Sequence, residues 1–221
     1  SRGGALALRA KMVLMLAETL DLPFRARNHL LTSAGFAATY AETPLDAAAL
    51  APVRHALEFM MERHAPFPAL ICDRHRNLVN ANATARLLLG VGDHVAGVNL
   101  VRLIATQPVF REAIVNWAEV VGDFRQRVRL EARTSGQDPI LSELAGVLDA
   151  LDVAEPEGKT DPGSPFMALK MRQGDLVLSL FSTIASFGTA RDITVNDLRI
   201  ELFFPADEAT AQILRGLGPG G

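Results

Sequence analysis

The sequence has little cysteine and no long apolar run, and these two absences exclude several classes of protein. Cys72 is the single cysteine among 221 residues, so an internal disulfide cannot form and a reducing, cytoplasmic location is expected. No apolar stretch approaches the roughly 18 residues of a membrane-spanning helix, and no signal peptide is visible. Hydrophobic residues still make up 49% of the chain, which excludes a disordered tail and provides a core for one or two domains.

Motifs that carry catalysis or bind metals are missing as well. The sequence has no G-x-S-x-G elbow, P-loop, G-x-G-x-x-G or H-E-x-x-H motif. His64, Asp73 and His75 lie close together, but their spacing matches no standard metal site. Cys72 lies in an apolar segment, where a small buried hydrophobe is expected rather than a reactive thiol. We therefore predict a protein that is not an enzyme, with no catalytic residue and no metal ligand.

The net charge of −3 is unevenly distributed along the chain. Residues 1–40 carry a net charge of +3, so the remaining residues carry −6. A basic segment on an acidic body favours an N-terminus that faces a polyanion such as DNA. The same charges are equally compatible with solvated side chains on small helices. The basic residues of this segment are Arg2, Arg9, Lys11, Arg25 and Arg27.

Apolar spacing predicts three helices before residue 65. Residues 6–20 place apolar side chains at three- and four-residue intervals, and Pro23 ends the pattern. A second helix is predicted from Phe24 to Ala34, and a third over residues 45–64. The first two are too short to bury their own apolar faces, which is typical of the end of a larger helical domain.

The remainder of the chain predicts an α+β domain. Two short strands precede a mainly helical region, which begins with Asn82 as an N-cap and extends to residue 151. A polar loop over residues 152–165 then leads to three further strands. This order favours a five-stranded antiparallel sheet with helices on one face, and a pocket between these layers is the ordinary place for a small ligand.

Alternation of side chains defines the strands more closely. In the last strand, apolar residues alternate with Arg199, Glu201 and Phe203, so one face is apolar and the other is mixed. Pro205 ends this strand, and residues 216–221 are predicted to be disordered. The five strands are predicted at residues 69–72, 78–80, 167–171, 176–181 and 198–204.

Polar residues among apolar helical ones mark a candidate binding segment. Guanidinium groups beside an apolar chamber suit an amphiphile with an anionic head, because arginine binds a carboxylate bidentately. From spacing alone the competing interpretation is favoured, in which the arginines pair within the protein and the tryptophan fills the core. The candidate residues are Asn99, Arg102, Arg111, Asn116 and Trp117.

Three arginines recur at four-residue spacing further along the helical region. Arg125, Arg129 and Arg133 place like charges on one helix face, which costs stability unless a partner neutralises them. An acidic surface of a second subunit or a DNA backbone would serve as such a partner, whereas a solvated face is the default interpretation.

A series of short motifs runs through nearly the whole chain. Two helical segments, residues 12–23 and 25–36, look like the closing helices of an XRE-type helix-turn-helix domain. The later motifs include Leu50-Ala-Pro-Val-Arg-His-Ala-Leu, His64-Ala-Pro-Phe-Pro-Ala-Leu, Asn99-Leu-Val-Arg, Val115-Asn-Trp-Ala-Glu-Val and Leu198-Arg-Ile-Glu-Leu-Phe-Phe-Pro-Ala-Asp. In this order they resemble the MmyB-like transcription regulators, whose C-terminal half is a PAS-like ligand-binding domain.

The resemblance implies a division of the chain. Residues 1–43 would be the C-terminal helices of the helix-turn-helix domain, residues 44–215 the PAS-like domain, and residues 216–221 a flexible tail. The family places its DNA-reading helix before the region that starts here, so the chain as given is not expected to read a DNA sequence by itself.

The resemblance also implies a function. We expect a bacterial transcription regulator whose PAS-like half binds a small apolar or amphiphilic molecule, such as a fatty acid, and thereby modulates DNA binding. No other cofactor and no membrane partner are expected, and the five candidate residues become expected ligand contacts. A homodimer is expected because two-fold symmetry matches a palindromic operator. The alternative is a PAS-like module for protein–protein contact, with a filled core and no ligand.

Overall fold

The computed structural model describes residues 2–135, 138–153 and 166–217 of the chain. These residues form ten α-helices and five β-strands. The helices are α1 (Arg2–Thr19), α2 (Phe24–Ser33), α3 (Ala51–His64), α4 (Ala83–Leu89), α5 (Leu100–Thr106), α6 (Pro108–Ala113), α7 (Trp117–Thr134), α8 (Pro139–Asp149), α9 (Ile193–Asp197) and α10 (Glu208–Gly216). The strands are β1 (Ala69–Cys72), β2 (Leu78–Ala81), β3 (Leu169–Gln173), β4 (Leu176–Ala185) and β5 (Arg199–Pro205).

The chain divides into two compact units, and one boundary between them falls within α3. Unit 1 combines Ser1–Ala56 with Ser186–Leu198, and unit 2 combines Leu57–Ala185 with Arg199–Gly221. Unit 1 therefore holds α1, α2, the first residues of α3 and α9, whereas unit 2 holds the sheet and the other helices. The expected assignment of residues 1–43 to a helix-turn-helix domain stays a prediction.

Stacking and ion pairs hold unit 1 together. The Phe24 and Tyr40 rings stack with their centroids 4.2 Å apart. The Arg25 guanidinium binds the Glu42 carboxylate and lies 3.1 Å from the carboxylate of Asp197, at the end of α9. This arginine, one of the basic residues near the N-terminus, is therefore neutralised inside the unit.

Unit 2 is built on one sheet with the strand order β2-β1-β5-β4-β3. All four pairs of neighbouring strands are antiparallel. Five helices, α4 to α8, lie in the chain between β2 and β3, which are the two edge strands. The α+β class, with a PAS-like five-stranded antiparallel sheet preceded by short helices, is thereby confirmed.

Helices pack against one face of this sheet and bury its apolar side chains. Leu70 and Cys72 of β1 share a core cluster with Ala85 of α4. Leu180 of β4 packs against Leu214 of α10 in a second cluster. Because side chains alternate along a strand, every second residue of each strand faces this helical layer.

The regularly spaced arginines of α7 find partners on the neighbouring helix α8. Arg125 donates hydrogen bonds to the carbonyl oxygens of Leu148 and Leu151, each at 3.1 Å. Arg129 lies 2.8 Å from the carboxylate of Asp149. Carbonyls at a helix C-terminus carry partial negative charge, so the end of α8 is a favourable place for cations. Two of the three charges are therefore neutralised within unit 2, without a second subunit or DNA.

Two helices, α9 and α10, have no counterpart in the sequence prediction. The carboxylates of Asp192 and Asp207 cap them by accepting hydrogen bonds from the backbone N–H groups of Thr194 and Thr210. An aspartate just before a helix is an ordinary N-cap signal, so both starts are marked in the sequence. Of the predicted tail, Gly216 belongs to α10, and residues 218–221 lie outside the described residues, as do residues 154–165 of the predicted loop.

Asn82 joins α4 to β1 in addition to its predicted role as an N-cap. Its Oδ1 accepts hydrogen bonds from the backbone N–H groups of Ala85 at 3.0 Å and Ala69 at 3.1 Å. Its Nδ2 donates to the carbonyl oxygen of Phe67 at 2.7 Å. One side chain thus fixes both the start of a helix and the start of a central strand.

We predict that Asn82→Ala lowers the free energy of unfolding by about 2 kcal/mol, because the cap and the bond to Phe67 are both lost. Asn82→Ser keeps a cap acceptor but cannot reach Phe67, so it should lose about half as much. Urea denaturation of the two variants measures the difference. Equal losses would show that the cap contributes nothing.

Candidate ligand-binding cavity

A cavity of about 170 Å³ lies in unit 2 between the sheet and the helices. Most of its wall is apolar, and the exposed residues Ser182 and Ile184 mark the side that faces solvent. For comparison, an engineered apolar cavity of roughly 150 Å³ stays dry and binds benzene. The cavity is therefore large enough for a small apolar molecule.

The sheet forms one wall of the cavity through alternate residues. In β5 these residues are Arg199, Glu201 and Phe203, so the mixed face of the last strand lines the cavity. The register places Cys72 opposite Arg199, and Leu70 opposite Glu201, on the neighbouring strand β1. The other sheet residues of this wall are Leu169 and Met171 from β3, and Leu180, Ser182 and Ile184 from β4.

Helices α4 to α7 close the cavity opposite the sheet with mostly apolar side chains. Leu100 and Ile104 of α5 both line it, as do Val121 and Phe124 of α7. Residues three or four positions apart lie on the same face of a helix, so each helix presents one apolar face to the cavity. Phe110 of α6, which is 5% exposed, belongs to the same wall.

Charged groups gather where β1 ends and β5 begins. Arg199 opens β5 opposite Cys72, the last residue of β1, and Arg76 follows in the turn to β2. Glu201 lies two residues further along β5, and its carboxylate accepts a hydrogen bond from Ser182 Oγ at 2.9 Å. We call Cys72, Arg76, Arg199 and Glu201 the polar end of the cavity.

Arg76 is the buried charge of the polar end. Its side chain is only 9% exposed, and its Nη2 donates to both carboxylate oxygens of Glu131 on α7 at 2.8 Å. The backbone of Arg76 has a φ of 66°, a left-handed conformation that residues other than glycine rarely adopt. Its Nε is buried and has no hydrogen-bond partner among the described residues. A buried donor without an acceptor costs about 1–3 kcal/mol.

The thiol of Cys72 is held in its neutral form. Burial raises the pKa of Cys72, and the negative charge of Glu201 raises it further, while the positive charge of Arg76 acts in the opposite direction. A neutral thiol is a poor nucleophile, so this cysteine serves as part of the wall.

The two asparagines among the predicted ligand residues make structural hydrogen bonds. Asn99 caps α5, since its Oδ1 accepts from the Arg102 backbone N–H at 3.2 Å, and its Nδ2 donates to the His75 carbonyl at 2.7 Å. Asn116 donates to the carbonyl of Ala168 at 2.7 Å, which ties the start of α7 to the segment before β3. Neither belongs to the described residues that line the cavity.

The other three predicted ligand residues also lie outside the cavity wall that the described residues form. Arg102 is exposed and pairs with Glu143, and Arg111 donates to the carbonyl oxygen of Asp152 at 3.0 Å. Trp117 packs against residues that do line the cavity, and its Nε1 is buried without a partner among the described residues. A ligand contact by any of the five stays a prediction.

The charged residues of the polar end were missed in the sequence. The alternation in the last strand contained the signal for Arg199 and Glu201, but the mixed face of a strand is ordinarily assigned to solvent. Arg76 carried no signal, because an arginine in a polar turn is indistinguishable in sequence from a solvated one.

Of His64, Asp73 and His75, which match no metal motif, only His75 joins a charged cluster. His75 Nε2 lies 3.0 Å from the carboxylate of Asp138, which also binds Arg74. Burial opposes the shift, but the hydrogen bonds from His75 and Leu141 N–H and the charge of Arg74 together lower the pKa of Asp138. Over residues 2–135, 138–153 and 166–217, no group of three His, Cys, Asp or Glu could hold a metal ion.

An antiparallel five-stranded sheet in the order β2-β1-β5-β4-β3, with helices over an apolar cavity, is the architecture of a PAS-like domain. Residues 53–217 match the family model of the MmyB-like transcription regulator ligand binding domain. The chain belongs to this family, which is a family of regulator domains and not of enzymes. No helix in the part of the chain that the structure describes is long and apolar enough to cross a membrane.

One solved structure with a similar chain is the PAS domain from Bordetella pertussis BvgS. The two are 18% identical, the match covers 74% of this chain and 94% of that chain, and the TM-score is 0.34. No curated protein matches the sequence.

We predict that Glu131→Ala lowers the free energy of unfolding by about 3 kcal/mol, because it leaves the Arg76 charge buried without its partner. Glu143→Ala is the matched control, since it breaks an exposed pair with Arg102 and should cost less than about 1 kcal/mol. Chemical denaturation measures both. Similar small losses would show that Arg76 reaches solvent and does not depend on Glu131.

Proposed function

We propose that the domain binds a small apolar or amphiphilic molecule in the cavity and thereby modulates DNA binding by a transcription regulator. The cavity carries this proposal, because protein interiors contain few voids larger than a water molecule, whereas this one measures about 170 Å³. A ligand that fills it gains dispersion contacts that the lining atoms otherwise lack. The alternative, an interaction module with a filled core, is less compatible with this void.

The size of the cavity limits the ligand. Since a cavity of roughly 150 Å³ accepts one benzene molecule, the same ratio gives this one about seven carbon atoms. Most of a short fatty-acid-like ligand therefore fits inside the wall. A longer chain would extend toward solvent past Ser182, an exposed lining residue that lies opposite Phe203 in the sheet.

Helix α3 is the element through which ligand binding would act on the N-terminal helices. Phe203 lines the cavity, and its carbonyl oxygen lies 2.8 Å from Nε2 of His64, the last residue of α3. The His64 ring also meets the Phe204 ring edge-on, with centroids 4.9 Å apart. A ligand that displaces Phe203 would therefore shift the end of α3, whose first residues belong to unit 1.

The DNA-binding part of the proposal rests on the resemblance of residues 1–43 to the end of an XRE-type helix-turn-helix domain. We propose a cytoplasmic homodimer, in which the change at α3 alters the spacing of two DNA-binding heads on a palindromic operator. The ligand then shifts the equilibrium between two spacings of the heads. The free energy of this shift equals the difference between the ligand's binding free energies for the two states.

Native mass spectrometry of the purified protein, followed by organic extraction, tests the proposed function. We expect a copurifying amphiphile, and a rise in melting temperature when octanoic acid is added to the extracted protein, since a ligand stabilises the state that binds it. Protein that carries no amphiphile, and whose melting temperature responds neither to octanoic nor to dodecanoic acid, would contradict ligand sensing.

Two valines of α7 provide a matched pair for the cavity itself. Val121 and Val128 are both fully buried, but Val121 lines the cavity, whereas Val128 packs in the cluster with Leu144 and Leu148. We predict that Val128→Phe lowers the free energy of unfolding by about 1–3 kcal/mol through overpacking. Val121→Phe should cost less, because its ring enters the void, and it should weaken octanoic acid binding at least about tenfold.

Isothermal calorimetry measures the affinity of the two variants for octanoic acid, and urea denaturation measures their free energies of unfolding. Unchanged affinity of Val121→Phe for octanoic acid would show that the ligand binds elsewhere. Equal destabilisation by the two substitutions would show that α7 borders no void at Val121.

A further inference from the structure

The Arg76 guanidinium has a buried donor, the N–H of Nε, that no described residue satisfies. Its side chain is more than nine-tenths buried, and Glu131 accepts hydrogen bonds from Nη2 alone. Nε is buried and has no hydrogen-bond partner in the described part of the chain. Because Arg76 also belongs to the cavity wall, an acceptor inside the cavity is the simplest group to satisfy this donor.

The positive charge of the Arg76 guanidinium favours an acceptor that carries negative charge. Of the other two arginines that line the cavity, Arg127 pairs with Asp123 on its own helix, and Arg199 lies two residues from Glu201 on β5. The Glu201 carboxylate already accepts a hydrogen bond from Ser182. A hydrogen bond between a guanidinium and a carboxylate is roughly twice as strong as one between neutral groups, so a carboxylate gains more here than a hydroxyl does.

We propose that Arg76 binds the carboxylate head of the ligand through Nε, so that the head lies at the polar end and the chain runs along the apolar wall. This assignment rests on the proposed function, in which the cavity holds a ligand. It places the head at a buried arginine in the turn after β1, and not at Arg102 or Arg111, which lie outside the cavity wall.

The orientation follows from the direction of β5. Arg199 begins the strand at the polar end, and Phe203 lies four residues further, about 13 Å away in an extended strand. A molecule anchored at Arg76 therefore points its chain toward Phe203. The carbonyl of Phe203 lies next to His64 at the end of α3. The chain of the ligand, and not its head, therefore contacts Phe203, which connects the cavity to α3.

Octanoic acid and octan-1-ol test the assignment, because they share a chain and differ in the head. Wild-type protein should bind the acid about tenfold more tightly than the alcohol. Arg76→Lys keeps a positive charge for Glu131 but removes Nε, so its affinity for the acid should fall about tenfold while that for the alcohol stays within about twofold. Arg129→Lys, an arginine of α7 that pairs with Asp149, is the control and should change neither affinity.

A second measurement observes the donor without altering it. In protein labelled with ¹⁵N-arginine, the Nε–H resonance that disappears in Arg76→Lys belongs to Arg76. Octanoic acid should shift this resonance in the wild-type protein, and octan-1-ol should shift it less. The shift is read in the wild-type protein and reports the hydrogen bond itself, and a folded lysine variant is needed only to assign the resonance.

The outcomes separate this proposal from the one on which it rests. If both molecules bind in the cavity, yet the lysine variant weakens both equally or the Arg76 Nε–H resonance does not respond to the acid, the head lies elsewhere and this assignment is overturned. If wild-type protein binds neither molecule, carries no copurifying amphiphile and does not respond to dodecanoic acid, the proposed function falls, and the head assignment falls with it.

Discussion

The ion pair between Arg76 and Glu131 is the interaction on which the ligand site depends. It joins the turn after β1 to α7, and so fixes the helical insert over the sheet at the polar end of the cavity. A buried pair of this kind contributes little net stability relative to apolar packing, but losing one partner is costly. Its presence beside a void is therefore better explained by the geometry that it imposes on Arg76 than by stability.

The unfilled cavity also lowers the stability of the domain, and a domain with a purely structural role would have a filled core instead. Apolar atoms that line a space of about 170 Å³ lack the packing contacts of a filled core, and the missing dispersion contacts raise the free energy of the folded state. A ligand that restores the missing contacts recovers part of this free energy, and this coupling between occupancy and stability is what a regulatory domain requires.

The sequence predicted the sheet and its helical layer well, because both follow from short-range patterns. Apolar runs bounded by polar turns marked β1 and β2, and Asn82 marked the start of α4. The third helix starts at Ala51 rather than at residue 45, since a proline at position 52 suits a first helical turn. The polar end was not predictable, because it arises from the register that sets Arg199 opposite Cys72, and no local pattern encodes which face of a strand the helices will cover.

The proposed ligand occupies the space between the sheet and α4–α7. Isotope-filtered nuclear Overhauser spectroscopy of ¹³C-methyl-labelled protein with octanoic acid locates the ligand in this space or elsewhere. We expect cross-peaks from the ligand chain to methyl groups of Leu70, Ile104 and Leu169, which line the cavity. Cross-peaks confined to exposed leucines such as Leu8 and Leu16 of α1 would contradict this placement of the ligand.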